Sequence, residues 1–224
     1  MTSTVNSEIS ALQVKLLYLQ FKSIKINNEM NSFKDVSEFD STESPEAIKS
    51  RGEIAYSVID VIALFENYHS FANDVFNSTY PLTQTMESEL IAKLKTIRKV
   101  TAQWKHVRNK IGGHLEIDRI KDFCGFHNYK GVFLSNNLEA DFKGVLLPMM
   151  LGSAINSTLS KSRLFDSELN LTDPQDMNRF IIKFNESWKL CIDLFADFSV
   201  YLYKIGKQEK LAVSSPQDIG LIKF

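Results

Sequence analysis

The stretch KHVRNKIGGHLEI (105–117) holds an arginine, Arg108, and a histidine, His114, with a Gly-Gly pair between them. A guanidinium matches phosphate oxygens in bidentate fashion, and an imidazole moves a proton near neutral pH. Brought together, the two groups suit cleavage of an RNA phosphodiester without a metal. The histidine would serve as general base or acid at the 2′-hydroxyl or the leaving oxygen, and the arginine would stabilise the charged transition state.

The pair needs help to meet. Six residues along an unbroken helix leave two side chains about 120° apart, so they share no face. Gly112 and Gly113 change this, because glycine readily takes the left-handed conformation that ends a helix. A backbone turning there lets His114 swing back toward Arg108. A second reading of the same residues stays open. The Gly-Gly pair is then only a helix cap, His114 favours the negative end of the helix, and Arg108 bonds a carboxylate such as Asp60 or Glu66.

The helix that carries Arg108 is predicted from about Thr85 to Ile111. On a helical wheel Ile97, Val100, Trp104, Val107 and Ile111 gather into the core face. Arg98, Thr101, Lys105 and Arg108 follow at spacings of three and four and form a stripe along its edge, with Arg108 nearest the apolar side. The wheel turns His106, Asn109 and Lys110 away. Arg98, Thr101 and Lys105 are therefore expected to contact RNA, and Arg108 is expected to be partly buried, a costly position without an anionic partner.

Charge is distributed in keeping with a polyanion. The chain of 224 residues carries a net −1, yet residues 92–130 hold ten basic and three acidic side chains. That segment is +7 and the remainder −8. Such a local basic field holds a polyanion while the rest keeps the protein soluble, although lysine-rich helix surfaces are common in any case.

Arg108-Asn109, four intervening residues and His114 resemble the R-N-x4-H form of the R-x4-6-H motif of the HEPN superfamily ("higher eukaryotes and prokaryotes nucleotide-binding"). The resemblance covers 44–204 in general shape and only this motif in specific residues. It implies a small helical bundle that dimerises so that two motifs face one groove, and metal-independent ribonuclease activity. Toxin–antitoxin, phage-defence and RNA-processing systems are the usual settings, with an antitoxin or defence-system protein as partner. Arg108 and His114 would be catalytic, and Asn109 is the polar residue that commonly follows the arginine. Some family toxins carry a tyrosine shortly after the histidine; here Leu115-Glu116-Ile117 follow, so that form of regulation is not expected. Other members bind a nucleotide, RNA or a protein partner without catalysis, and a helical module serving only in assembly is the third reading.

Other constellations carry less. His69, His106, His114 and His127 show no close metal-ligand spacing, and no metal or cofactor is expected. P-loop, GxGxxG and GxSxG patterns are missing. Cys124 near His127 reads as packing rather than as a nucleophile with its base.

The elements that must position the pair are helical. Gly (9) and Pro (5) are scarce, which disfavours turn-rich sandwiches and barrels. The expected fold is all-α: an antiparallel bundle of four long helices forming a single domain over 1–206, with a tail at 207–224. The first helix is predicted over 7–30, with Ile9, Leu12, Leu16 and Leu19, then Leu17, Gln20 and Ile24, recurring at helical spacing. A polar linker follows at 31–44, and Ser44-Pro45-Glu46 opens a second helix reaching Phe76. Its centre, 54–65, is apolar on most sides. Within 114–171, an irregular insertion, GVFL (131–134) and FKGVLL (142–147) suggest a small hairpin, and Met149 to Ser160 a short helix. Thr172-Asp173-Pro174 starts the last helix, whose seam runs Met177, Phe180/Ile181, Phe184, Trp188, Cys191, Leu194/Phe195, Phe198, Tyr201/Leu202, Ile205. Two distant cysteines, no signal-peptide pattern and no apolar run long enough to cross a bilayer predict a reduced, cytoplasmic protein without a membrane partner.

Overall fold

The computed structural model describes residues 2–31, 45–111, 146–156, 164–171 and 173–208. Among them every regular element is a helix: α1 (Thr2–Asn31), α2 (Pro45–Phe76), α3 (Leu82–Thr85), α4 (Ser88–Ile111), α5 (Leu147–Asn156) and α6 (Pro174–Gln208). Residues 32–44 of the predicted linker, Gly112, Gly113, His114, the proposed strand GVFL (131–134), Cys124 with His127, and the predicted tail beyond Gln208 lie outside the described residues.

Two boundaries differ from expectation. The third long helix does not begin at Thr85. A separate single turn, α3, occupies Leu82–Thr85, and Met86 follows in extended conformation (φ −82°, ψ 139°), so α4 starts only at Ser88. The short helix begins at Leu147, inside the second proposed strand, and ends at Asn156. The start of α6 follows its local chemistry. Asp173 Oδ1 accepts from the backbone N–H groups of Gln175 (2.8 Å) and Asp176 (3.3 Å), and Pro174, which has no N–H to leave unpaired, opens the helix.

The chain divides into two compact units. The first comprises Met1–Ile24, Leu64–Thr101 and Glu186–Phe224. Its core joins segments of α1, α2, α4 and α6: Leu16 and Leu19, Phe65 and Phe71, Leu94 and Ile97, Leu194 and Phe198 are all buried. Phe71 meets Phe198 edge to face at 5.1 Å, and Trp188 meets both Phe65 (6.2 Å) and Tyr68 (6.5 Å), a geometry that suits aromatic quadrupoles. One buried polar pair closes within this core: Tyr68 Oη lies 2.8 Å from Ser23 Oγ, which donates to the Leu19 carbonyl. Glu8 fastens the turn after α2, accepting from Thr79 N (3.0 Å), Thr79 Oγ1 (2.7 Å) and Tyr80 N (3.3 Å). Those Thr79 bonds hold the Glu8 carboxyl below its usual value.

The second unit comprises Lys25–Ala63 and Ala102–Asn185. Trp104 is its centre, fully buried with Phe180 at 6.0 Å and Phe184 at 5.9 Å, both edge to face. Asn156, the last residue of α5, clamps the following segment from both sides: its Nδ2 donates to the Leu169 carbonyl (2.8 Å) and its Oδ1 accepts from Leu169 N (2.9 Å). Arg179 adds a second tie, reaching Asp176 (2.8 Å) and Ser167 (2.9 Å).

The α6 seam is buried at every position named except Ile181, which is half-buried. In α1, Ile9, Leu12, Leu16 and Leu19 are buried as expected, whereas Leu17 is exposed and Gln20 takes an inside position.

Candidate functional site

Arg108 sits in the last turn of α4, beside the fully buried Val107 and one turn beyond the fully buried Trp104. Its side chain is half-buried, as expected at the edge of the apolar face, and its Nη1 donates to Asn109 Oδ1 at 3.2 Å. Asn109 itself is exposed. Arginine and lysine in this turn also face the negative end of the helix dipole, which favours them there irrespective of any ligand. His114 and both glycines lie outside the described residues.

The wheel placed the polar stripe about one residue off. Thr101 does not line an exposed edge: it is 1% accessible, and its hydroxyl donates to the Ile97 carbonyl at 2.7 Å. His106 and Lys110, expected to point away, are each half-buried. The exposed positions of α4 beyond its first turn are Ala92, Lys95, Thr96, Arg98, Lys99, Ala102, Lys105 and Asn109. Arg98 and Lys105 thus stay accessible, and Lys95 and Lys99 join them. Beyond Glu89 the helix carries no acidic residue, so these cations meet no carboxylate within their own helix.

Thr101 meets His69 of α2. The His69 Nδ1 lies 3.2 Å from the Arg98 carbonyl oxygen and 3.3 Å from Thr101 Oγ1. A carbonyl oxygen only accepts, so Nδ1 carries the proton, and Nε2 is the nitrogen with the lone pair in the neutral ring. The Arg98 guanidinium lies 5.0 Å from the centroid of the Phe76 ring, which steadies it by a cation–π contact while leaving it accessible. His69 had no sequence signal linking it to the arginine helix, since 29 residues separate it from Arg98 and only the packing of α2 joins them.

The first unit also contains an open cleft of about 380 Å³. Leu90, Val200, Tyr201 and Ile205 supply its apolar lining, and the ion pairs Lys93–Asp197 and Lys204–Glu87 (3.4 Å) stand at its walls. The Tyr201 hydroxyl donates to the Leu82 carbonyl at 2.6 Å and lies 2.9 Å from Thr85 Oγ1; burial pushes its pKa up and so makes it a weaker acid. None of Arg98, Thr101, Lys105, Arg108 and Asn109 lines this cleft.

Cys191 is buried and burial pushes its thiol up, so it stays protonated and unreactive at neutral pH. Among the described residues no three His, Cys, Asp or Glu side chains converge as a metal site needs. No described helix is long and apolar enough to cross a membrane. The chain matches no family model, no curated protein and no solved structure.

Proposed function

We propose that the protein is a metal-independent endoribonuclease of HEPN type, acting as a homodimer in a prokaryotic toxin or phage-defence setting. In this reading α1, α2, α4 and α6 form an antiparallel bundle that delivers the C-terminal end of α4 to a groove shared by two chains. The observation that carries it is Arg108: a half-buried arginine in the last turn of α4, bonded to the Asn109 side chain and followed in sequence after Gly-Gly by His114.

One His114 removes the proton from a 2′-hydroxyl, whose oxygen attacks phosphorus; the partner's His114 gives a proton to the departing 5′-oxygen. Arg108 stabilises the negative charge that builds on the non-bridging oxygens. The products are a 2′,3′-cyclic phosphate and a free 5′-hydroxyl. Asn109, bonded to Arg108, fixes the fork of the guanidinium, so it positions rather than reacts. Arg98 and Lys105 hold the sugar–phosphate backbone without reading sequence. Incubation of single-stranded RNA with the protein in excess EDTA tests the reading: cyclic-phosphate ends are expected, and 3′-hydroxyl ends contradict it.

A non-catalytic RNA-binding protein of the same fold is the second reading, favoured by the accessible Lys95, Arg98, Lys99 and Lys105 on α4. It predicts salt-dependent RNA retention with no cleavage.

A further inference from the structure

Arg98 is held at both ends by α2. Its carbonyl accepts from His69 Nδ1 at 3.2 Å, and its guanidinium lies 5.0 Å from the centre of the Phe76 ring. His69 and Phe76 stand about two turns apart on α2, so one helix face grips the arginine at backbone and head. Arg98 is exposed nonetheless. Asp74, the one acid between His69 and Phe76, bonds Lys15 of α1 instead. Lys95 and Lys99, the cations on either side of Arg98 along α4, are exposed as well, and all these residues belong to the first unit. Stability alone gains little from the arrangement. An exposed cation–π contact is weak, and an arginine held still gives up rotamer freedom.

We propose that Arg98, backed by Phe76, is a stacking platform for one unpaired nucleobase of a bound single strand. This rests on the reading that the protein binds RNA, and it specifies which part of the strand Arg98 takes. A guanidinium is flat. Its N–H groups lie in the plane and serve phosphate oxygens, while its faces lie on π-systems. Phe76 steadies it from one side, the solvent side receives the base, and the in-plane donors stay free for the neighbouring phosphate. A lysine offers only a point charge, so Lys95 and Lys99 serve phosphates alone. The platform is built before the strand arrives: His69 fixes the Arg98 backbone and Phe76 its head, which lowers the ordering cost that a loose surface arginine brings to binding. Stacking tolerates any sequence, because every base has a π-face. A base already stacked within a duplex has no free face to offer, so the subsite selects single strands.

The test is fluorescence anisotropy with labelled oligouridine and with an abasic strand of equal length, which keeps the phosphates and lacks the bases. The full chain carries His114→Ala, so that the strand stays intact. Arg98→Lys keeps the charge and removes the flat face; Phe76→Leu removes the ring, and Phe76→Tyr keeps it. Arg98→Lys and Phe76→Leu are expected to bind oligouridine roughly five- to tenfold more weakly, the low end for one lost stack. The salt slope of Arg98→Lys is expected to match that of its parent, and Phe76→Tyr to restore the affinity. On the abasic strand all variants are expected to bind alike. Oligothymidine is expected to show the same loss as oligouridine, because stacking ignores the sugar. Arg98→Lys sits at an exposed position, so the proposal stands or falls on it even where Phe76→Leu unfolds. Parental affinity of Arg98→Lys for oligouridine overturns the proposal. So does an equal loss on the abasic strand, which would make Arg98 a phosphate contact only, or a loss confined to RNA, which would place the contact on the ribose. Absence of binding to every strand overturns the platform and the RNA reading together. Cleavage by the wild type judges the ribonuclease reading separately, since the based and abasic comparison needs no cleavage.

Discussion

His69 Nδ1 lies 3.2 Å from the carbonyl oxygen of Arg98, and this contact helps tie α2 to the helix that carries the cations. The same nitrogen reaches Thr101 Oγ1, so Thr101 belongs to the helix junction rather than to an RNA surface. Thr101→Val is expected to lower stability by about 1–2 kcal/mol, the net worth of a buried hydroxyl and its bonds. RNA retention and its salt dependence should not change. Chemical denaturation beside a filter-binding titration decides this: weakened binding with unchanged stability would return Thr101 to the RNA surface.

Arg98 and Lys105 carry the opposite expectation. Both are exposed, so Arg98→Ala and Lys105→Ala should leave the denaturation midpoint nearly unmoved. Each should reduce the slope of log affinity against log salt by about 0.7, one phosphate contact on a single strand. Binding at several salt concentrations checks it, and a slope unchanged in both variants would remove α4 from the RNA surface. Lys95→Ala and Lys99→Ala behave in the same way if the exposed face of α4 tracks the backbone.

Glu8 makes stability depend on acid. Its carboxyl is held below the ordinary value by the Thr79 bonds, so its contribution is fully present above the unfolded-state value of 4.5 and is lost as pH falls through the lowered folded value. Glu8→Gln is expected to melt lower than wild type at neutral pH, and the difference should shrink below pH 4.5. Thermal melts across that range test the point; a constant difference at all pH values would mean that the carboxylate charge plays no part.

Trp104 anchors the second unit between Phe180 and Phe184. Trp104→Ala removes a fully buried indole, and a loss of about 3–5 kcal/mol is expected. Because Arg108 lies one turn away on the same helix, any RNA cleavage should fall with it even where the variant remains folded. Calorimetry with a parallel cleavage assay separates the two effects.

The sequence revealed most where local period alone decides the outcome. The α6 seam runs from Met177 to Ile205 at helical spacing and is buried almost throughout, because aromatic and aliphatic side chains on one face have only the core to occupy. Ser44-Pro45 and Asp173-Pro174 marked two helix starts because capping chemistry is local. Positions at the edge of an apolar face were less legible. Whether Thr101 or Lys105 faces water depends on which neighbour packs there, and His69 comes from a different helix. The break between α3 and α4 left no mark either, since neither glycine nor proline stands at Met86. The inward face of α1 was hidden for a related reason: Leu17 fits an apolar recurrence equally well on either face, and only packing shows that Gln20 is inside and Leu17 outside.

The half-burial of Arg108 agrees with its place on the wheel, and the ribonuclease proposal rests on what that guanidinium does together with His114. The direct measurement is RNA cleavage in EDTA by wild type, Arg108→Ala and His114→Ala, each confirmed folded by circular dichroism. The account predicts cleavage by the wild type and a loss of at least a hundredfold in either variant, with RNA binding retained in His114→Ala. Cleavage at wild-type rate in both folded variants would contradict it.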